Sequence, residues 1–170
     1  VGFALSWERD EKLEALADET IDLIGRAQQP DGYLNTYFTI KEPGLRWTNL
    51  MEGHELYTAG HMIEAAVAYY EATGKKKFLD IVSRFADLIC DTFGAEEGKI
   101  HGYPGHQEIE LALVKLYRVT GTRKYLELAK YFIDARGEGE NYFLNEEKKP
   151  AFKRIFPDFH DYNPAYSQSH

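Results

Sequence analysis

Two stretches of this 170-residue chain carry the side chains best suited to chemistry: HELYTAGHMIEAAVAYYEATG, residues 54–74, and HGYPGHQEIELALVKLYRVTG, residues 101–121. His54 and His61 are seven residues apart, two turns along one helical face, and Glu55 sits beside the first. Two imidazoles and a carboxylate suggest zinc, but the metalloprotease pattern needs histidines four apart on one helix, and spacing indicates no third ligand. This chain is therefore expected to hold no metal of its own. The residues read instead as a polar rim, with His54 and Glu55 open to a cavity and His61 lower down in a hydrogen-bonded core position. His101, His106, Gln107 and Glu108 occupy the matching place in the second stretch. For its carboxylates, helix capping is an alternative, since Glu108 and Glu110 fall in a first turn, where negative charge meets the positive end of the dipole.

Glycoside hydrolysis needs two carboxyl groups across the scissile bond. Glu52, Glu55, Glu108, Asp158 and Asp161 are available, and no spacing singles out a pair. Cys90, on the apolar side of a helix, reads as a small buried core residue and not as a nucleophile. The stretch QQPDGYLNTYF leaves a helix through a Pro-Asp-Gly turn. Its Tyr33, Asn35, Tyr37 and Phe38 mix flat apolar faces with amide groups, which suits stacking on sugar rings; packing of the same aromatics inside the loop is the alternative.

These residues need helices to position them. Leu56, Ala59, Ile63, Ala66, Val67 and Tyr70 recur at steps of three and four, and that helix ends at Thr73-Gly74. Phe78, Ile81, Val82, Phe85, Leu88 and Ile89 repeat the spacing on a second helix that ends near Phe93-Gly94, so the pair reads as a hairpin. A shift of 47 residues lays His54 on His101, Tyr70 on Tyr117, Gly74 on Gly121 and Phe85 on Phe132, so a second hairpin copies the first. Leu13, Leu16, Ala17, Thr20, Leu23 and Ile24 look like the outer half of a broken earlier unit. Stacked hairpins of this size form open solenoids or closed α/α toroids. The long, aromatic-rich segments ahead of each first helix favour a toroid, in which His54 and His101 would approach one ligand from neighbouring units. Strand is expected only as a short hairpin near residues 33–38.

With 44% hydrophobic residues, the chain can build one core. A net charge of -8 and no basic run longer than Lys75-Lys76-Lys77 argue against nucleic acid. No apolar run reaches the roughly 18 to 20 residues of a membrane span, and one cysteine gives no sign of an oxidising compartment, so a soluble, cytoplasmic protein is expected. The chain opens on VGFALSWERD and stops at NPAYSQSH, after a segment with no helical period. Both ends read as cut, the alternative being a complete small protein freed from a tag.

In order along nearly the whole chain, QQPDGYLNTYF, HELYTAGHMIEAAVAYYEATGK, HGYPGHQEIELALVKLYRVTG, YLELAKYFIDARG and YSQSH resemble glycoside hydrolase family 127, the β-L-arabinofuranosidases long catalogued as a domain of unknown function. The resemblance implies an (α/α)6 barrel and a retaining hydrolase with a zinc-bound cysteine nucleophile and a glutamate acid/base, all in the part of the family downstream of YSQSH. It carries over, as sugar-binding residues, His54 and Glu55 of HELYTAGH, His101 and His106 of HGYPGHQE, and His170 of YSQSH. Thr58 departs from the family, which commonly has cysteine there; the change should alter packing more than chemistry.

Residues 1–170 are thus expected to be part of an all-α barrel domain that supplies one side of an arabinofuranoside cavity and is inactive alone. A partial ring should also self-associate through its uncovered helix faces. The rival expectation is a non-catalytic carbohydrate-binding or helical-repeat interaction module. A weaker one is another sugar-active toroid, such as an unsaturated-uronyl hydrolase or an epimerase, with histidine and aspartate pairs completing the cavity.

Overall fold

The computed structural model describes residues 1–146 together with Lys148 and Lys149. Among the described residues seven α-helices follow in order: α1 (Gly2–Trp7), α2 (Glu11–Ala27), α3 (Glu55–Thr73), α4 (Lys77–Thr92), α5 (Ile109–Thr120), α6 (Arg123–Gly137) and α7 (Tyr142–Glu146). The protein is all-α: among the described residues extended pairing is confined to an isolated bridge between Phe93 and Ile100. α3 packs between α1 and α5 and against α4 behind it, while α4 meets α2 and α6. The helices therefore form two concentric layers, α1, α3 and α5 inside and α2, α4 and α6 outside, an arc of hairpins joined side by side.

Local signals explain the helix ends. Asp10 caps α2 by accepting from the backbone N–H groups of Lys12 and Leu13. Gly74 and Gly121 close α3 and α5 in the left-handed region, at φ 74° and 72°, and each returns its N–H to the carbonyl four residues back at 2.7 Å. The 47-residue repeat thus holds at the C-terminal ends. It fails at the starts, because α5 begins only at Ile109. Pro104 disfavours helix at Tyr103, and the next N–H, that of Gly105, is committed to Leu50 O at 3.1 Å.

Residues 33–38 correct the expected strand hairpin. Asn35 Oδ1 accepts from the N–H groups of Tyr37 and Phe38 at 3.1 and 3.3 Å, starting a single π-helical turn over Tyr37–Lys41. Tyr33 and Phe38 are buried, so these two aromatics pack inside the loop and do not face a sugar. From Tyr33 a path of ring contacts runs to Trp47 (5.3 Å), on to Phe93 (5.3 Å) and on to Phe132 of α6 (5.7 Å), with Phe85 of α4 beside Tyr33 at 5.5 Å.

Two buried carboxylates pin the long segment between α2 and α3. Glu55 accepts from Tyr33 OH on one oxygen and from Trp47 N at 2.7 Å on the other. Glu146 of α7 accepts from Leu50 N at 2.7 Å and Met51 N at 3.1 Å. Burial pushes the Glu55 carboxyl up to about 7; its two hydrogen bonds and the charge of Arg46 oppose this, and Glu146 reinforces it.

Two outcomes follow from this packing. Gly60 of α3 lies against α5 so closely that a Cβ would sit 2.9 Å from Ile109 N and 3.0 Å from Ile109 Cα. Alanine favours a helix over glycine by about 1 kcal/mol, but a backbone neighbour cannot step aside, so Gly60→Ala should destabilise by about 1–3 kcal/mol, measured by urea unfolding. Glu55 holds its proton more tightly folded than unfolded, so its contribution is fully present below pH 4.5 and is lost as pH rises through about 7. Relative to Glu55→Gln, whose side chain does not titrate, the wild-type chain should lose about 3 kcal/mol across that window. Parallel pH dependence of the two proteins would disprove it.

Candidate functional site

The inner-helix starts bring together a group of rings and carboxylates. His54 stands at the N-cap of α3 with φ 54°, a left-handed conformation that a non-glycine residue adopts only when its surroundings require it. Glu55, one residue on, is buried. His54 Nδ1 lies 2.5 Å from Glu52 O, and since a carbonyl only accepts, Nδ1 carries a proton and Nε2 is the edge left for another partner. The imidazole stacks on His106 at 5.1 Å with a 29° interplanar angle.

Tyr57 stands edge-on to His54 at 5.6 Å and to His61 at 4.5 Å, and its ring centre lies 5.3 Å from that of His106. His61 Nδ1 is 3.2 Å from Glu108 Oε1, next to the start of α5. Burial raises the Glu52 carboxyl, opposed by His54. Three imidazoles and a phenol thus offer flat faces and hydrogen-bonding edges at one place, the combination that holds a small hydroxylated ring.

The expected residues divide accordingly. His54 and His106 come together. Glu55 is no rim residue: at 2% exposure it is enclosed by the loop it anchors and touches the site only through its neighbour His54. His61 is not a core residue either, its side chain being 53% exposed. His101, expected beside His54, is exposed and bonded through Nε2 to Glu96 O at 3.1 Å, because the non-helical stretch around Pro104 carries His106, and not His101, to the stack. His170, Asp158 and Asp161 lie outside the described residues, as does the C-terminal segment that lacks a helical period in the sequence. Tyr57 was missed, although it stands three residues after His54 and four before His61, on the same helical face. Glu108 and His61 were each singled out without being paired, since they lie on different helices.

The zinc that the resemblance implies finds no fitting donors here. Among the described residues no three His, Cys, Asp or Glu side chains are arranged to hold a metal ion. Cys90 is buried, its thiol pushed up to about 12 by desolvation and lying 3.8 Å from Lys124 O, so it remains protonated, whereas zinc binds thiolate. Among the described residues no helix is long and apolar enough to cross a membrane.

Comparison with known proteins agrees with this architecture. A non-reducing end β-L-arabinofuranosidase of Bifidobacterium longum subsp. longum is 46% identical over 172 residues, covering 98% of this chain and 26% of its own length. The crystal structure of a GH127 β-L-arabinofuranosidase from Geobacillus stearothermophilus T6 superposes with a TM-score of 0.84 at 62% identity, over 86% of this chain and 23% of that one. A second solved structure, a GH127 β-arabinofuranosidase, gives 0.77 at 43% identity, over 82% of this chain and 23% of its own. The chain therefore spans about a quarter of the length of these relatives. The profile of the β-L-arabinofuranosidase GH127 catalytic domain matches residues 1–167, and this two-layered helical chain belongs to glycoside hydrolase family 127.

Proposed function

We propose that this chain supplies one wall of the sugar cavity of a β-L-arabinofuranosidase, as part of a single α/α-barrel domain, and that its own task is to bind and orient a terminal β-L-arabinofuranose. The observation that carries the reading is the His54–His106 stack, edged by Tyr57, at the helix starts of a chain that belongs to this family. His54 Nε2 would accept from a sugar hydroxyl, and His106 would present a second polar edge. Glu55 acts indirectly, by fixing the left-handed turn at His54. His170 joins them by resemblance alone, while His101 is held by Glu96 O and has a weaker claim. Bond cleavage belongs to the cysteine, zinc and acid/base of the complete family member; this chain's share is binding. Its single buried thiol fits a reducing compartment such as the cytoplasm.

Calorimetric titration with methyl β-L-arabinofuranoside tests the proposal. The 170-residue chain should bind the glycoside and leave a chromogenic arabinofuranoside unhydrolysed. Each of His54→Ala and His106→Ala should weaken binding about 3- to 10-fold, the worth of one ordinary hydrogen bond. The double variant should fall short of the product of the two effects, because one ring orients the other. Tight binding that ignores both substitutions would turn the reading toward a general carbohydrate-binding module.

Association between copies is part of the same proposal. α1, α2 and α3 enclose a groove of about 670 Å³ lined by Leu13, Leu16, Ile24, Met62 and Ala65, and Phe3 and Leu16 around it are exposed. Light scattering should give a mass that rises with concentration and falls back toward the monomer in Leu16→Asp. A constant monomer mass in the wild-type chain removes this part of the reading.

A further inference from the structure

The segment that carries His106 is anchored at two points. On one side Gly105 donates to Leu50 O at 3.1 Å, and it lies so close that a Cβ would sit 2.4 Å from Met51 O. On the other, Arg136 reaches across from the last turn of α6 and donates from Nη2 to Pro104 O at 2.5 Å, with its guanidinium 4.9 Å from the centre of the Tyr103 ring. Proline has no N–H, so residue 104 itself can be held only through its carbonyl.

The arginine is itself oddly placed. It faces Glu110 in the first turn of α5, a residue only 6% exposed, yet Nη2 and Oε1 stand 3.8 Å apart, beyond hydrogen-bonding distance. Both Glu110 carboxylate oxygens, and Nε and Nη1 of Arg136, are buried with no hydrogen-bond partner among the described residues. Two charges taken out of water with so few hydrogen bonds contribute little to stability, and apolar replacements of similar volume usually do as well or better. What such a pair can supply is one fixed arrangement: a guanidinium that keeps its charge and points at Pro104 O.

We propose that Arg136, oriented by Glu110, is a positioning residue for His106, setting the segment around Pro104 so that the imidazole stacks on His54. Arg136 touches no sugar in this arrangement; it acts through the backbone two residues from the histidine. The functional consequence rests on the arabinofuranose reading, whereas the placement of the ring does not.

The test uses the uniformly 15N-labelled 170-residue chain, with the imidazole signals of His54 and His106 in long-range 1H–15N spectra identified through His54→Gln and His106→Gln. The double variant Arg136→Met with Glu110→Leu removes both charges at similar volume. It should fold with a thermal midpoint at or above that of the wild type, shift both ring signals, and weaken methyl β-L-arabinofuranoside binding about tenfold. Arg136→Lys, which keeps one charged donor, should return the ring signals toward their wild-type positions. Unchanged ring signals in the folded double variant overturn the proposal. So does failure of the double variant to fold, which would make the pair a stability element. If the wild-type chain binds no arabinofuranoside, the sugar reading falls, and the ring signals still decide whether Arg136 positions His106.

Discussion

The carboxylate of Glu55 is the contact on which the rest of the site depends. It begins α3, is buried, and takes one hydrogen bond from Tyr33 and one from the backbone of Trp47. Removing a carboxylate from water costs several kcal/mol unless hydrogen bonds replace the lost hydration. Here two donors come from the chain that runs between α2 and α3, so the path of that chain offsets part of that cost, while burial still holds the carboxyl up to about 7. Tyr33 and Trp47 are then held ring against ring and pass the constraint through Phe85 and Phe93 to Phe132. The aromatic core and the turn at His54 are thus two ends of one network.

The inner layer shows a second constraint of the same kind. α3 and α5 can approach as they do because Gly60 has no side chain, and the segments preceding them touch where Gly105 meets Leu50 and Met51. Glu146, from beyond α6, accepts from the N–H groups of Leu50 and Met51 and so closes the second hairpin onto the first. His54 and His106 inherit their separation from these backbone contacts. A flexible pair of side chains would lose rotamer freedom on stacking; here the backbone has already fixed much of it.

Helices were legible in the sequence because their signals are local. The three-and-four spacing of Phe78 to Ile89 and the glycines at 74 and 121 mark elements that the structure contains within a residue or two. The π-helical turn at Tyr37–Lys41 was not legible, since alternating polar and aromatic residues suit a strand and the deciding contact is one asparagine side chain on two backbone N–H groups. The 47-residue shift misled in a similar way. It was sound where packing repeats and wrong where Pro104 interrupts the helix, which is why His101 took the place that belongs to His106. Glu55 looked like a rim residue because a carboxylate at a helix start is normally solvated; its burial depends on donors 8 and 22 residues away.

His54 combines these constraints in one residue. Left-handed backbone costs a non-glycine residue on the order of 1–2 kcal/mol, and glycine would adopt the same turn without that cost. Retaining an imidazole there is therefore a matter of what the ring does. With Nδ1 committed to Glu52 O, Nε2 is the edge left for another partner, and with His106 and Tyr57 packed around the ring that edge has a set direction. A ring nitrogen held in one orientation meets a hydrogen-bonding partner along one set direction. The strain at φ 54° thus sits between a buried carboxylate on one side and the stacked ring on the other.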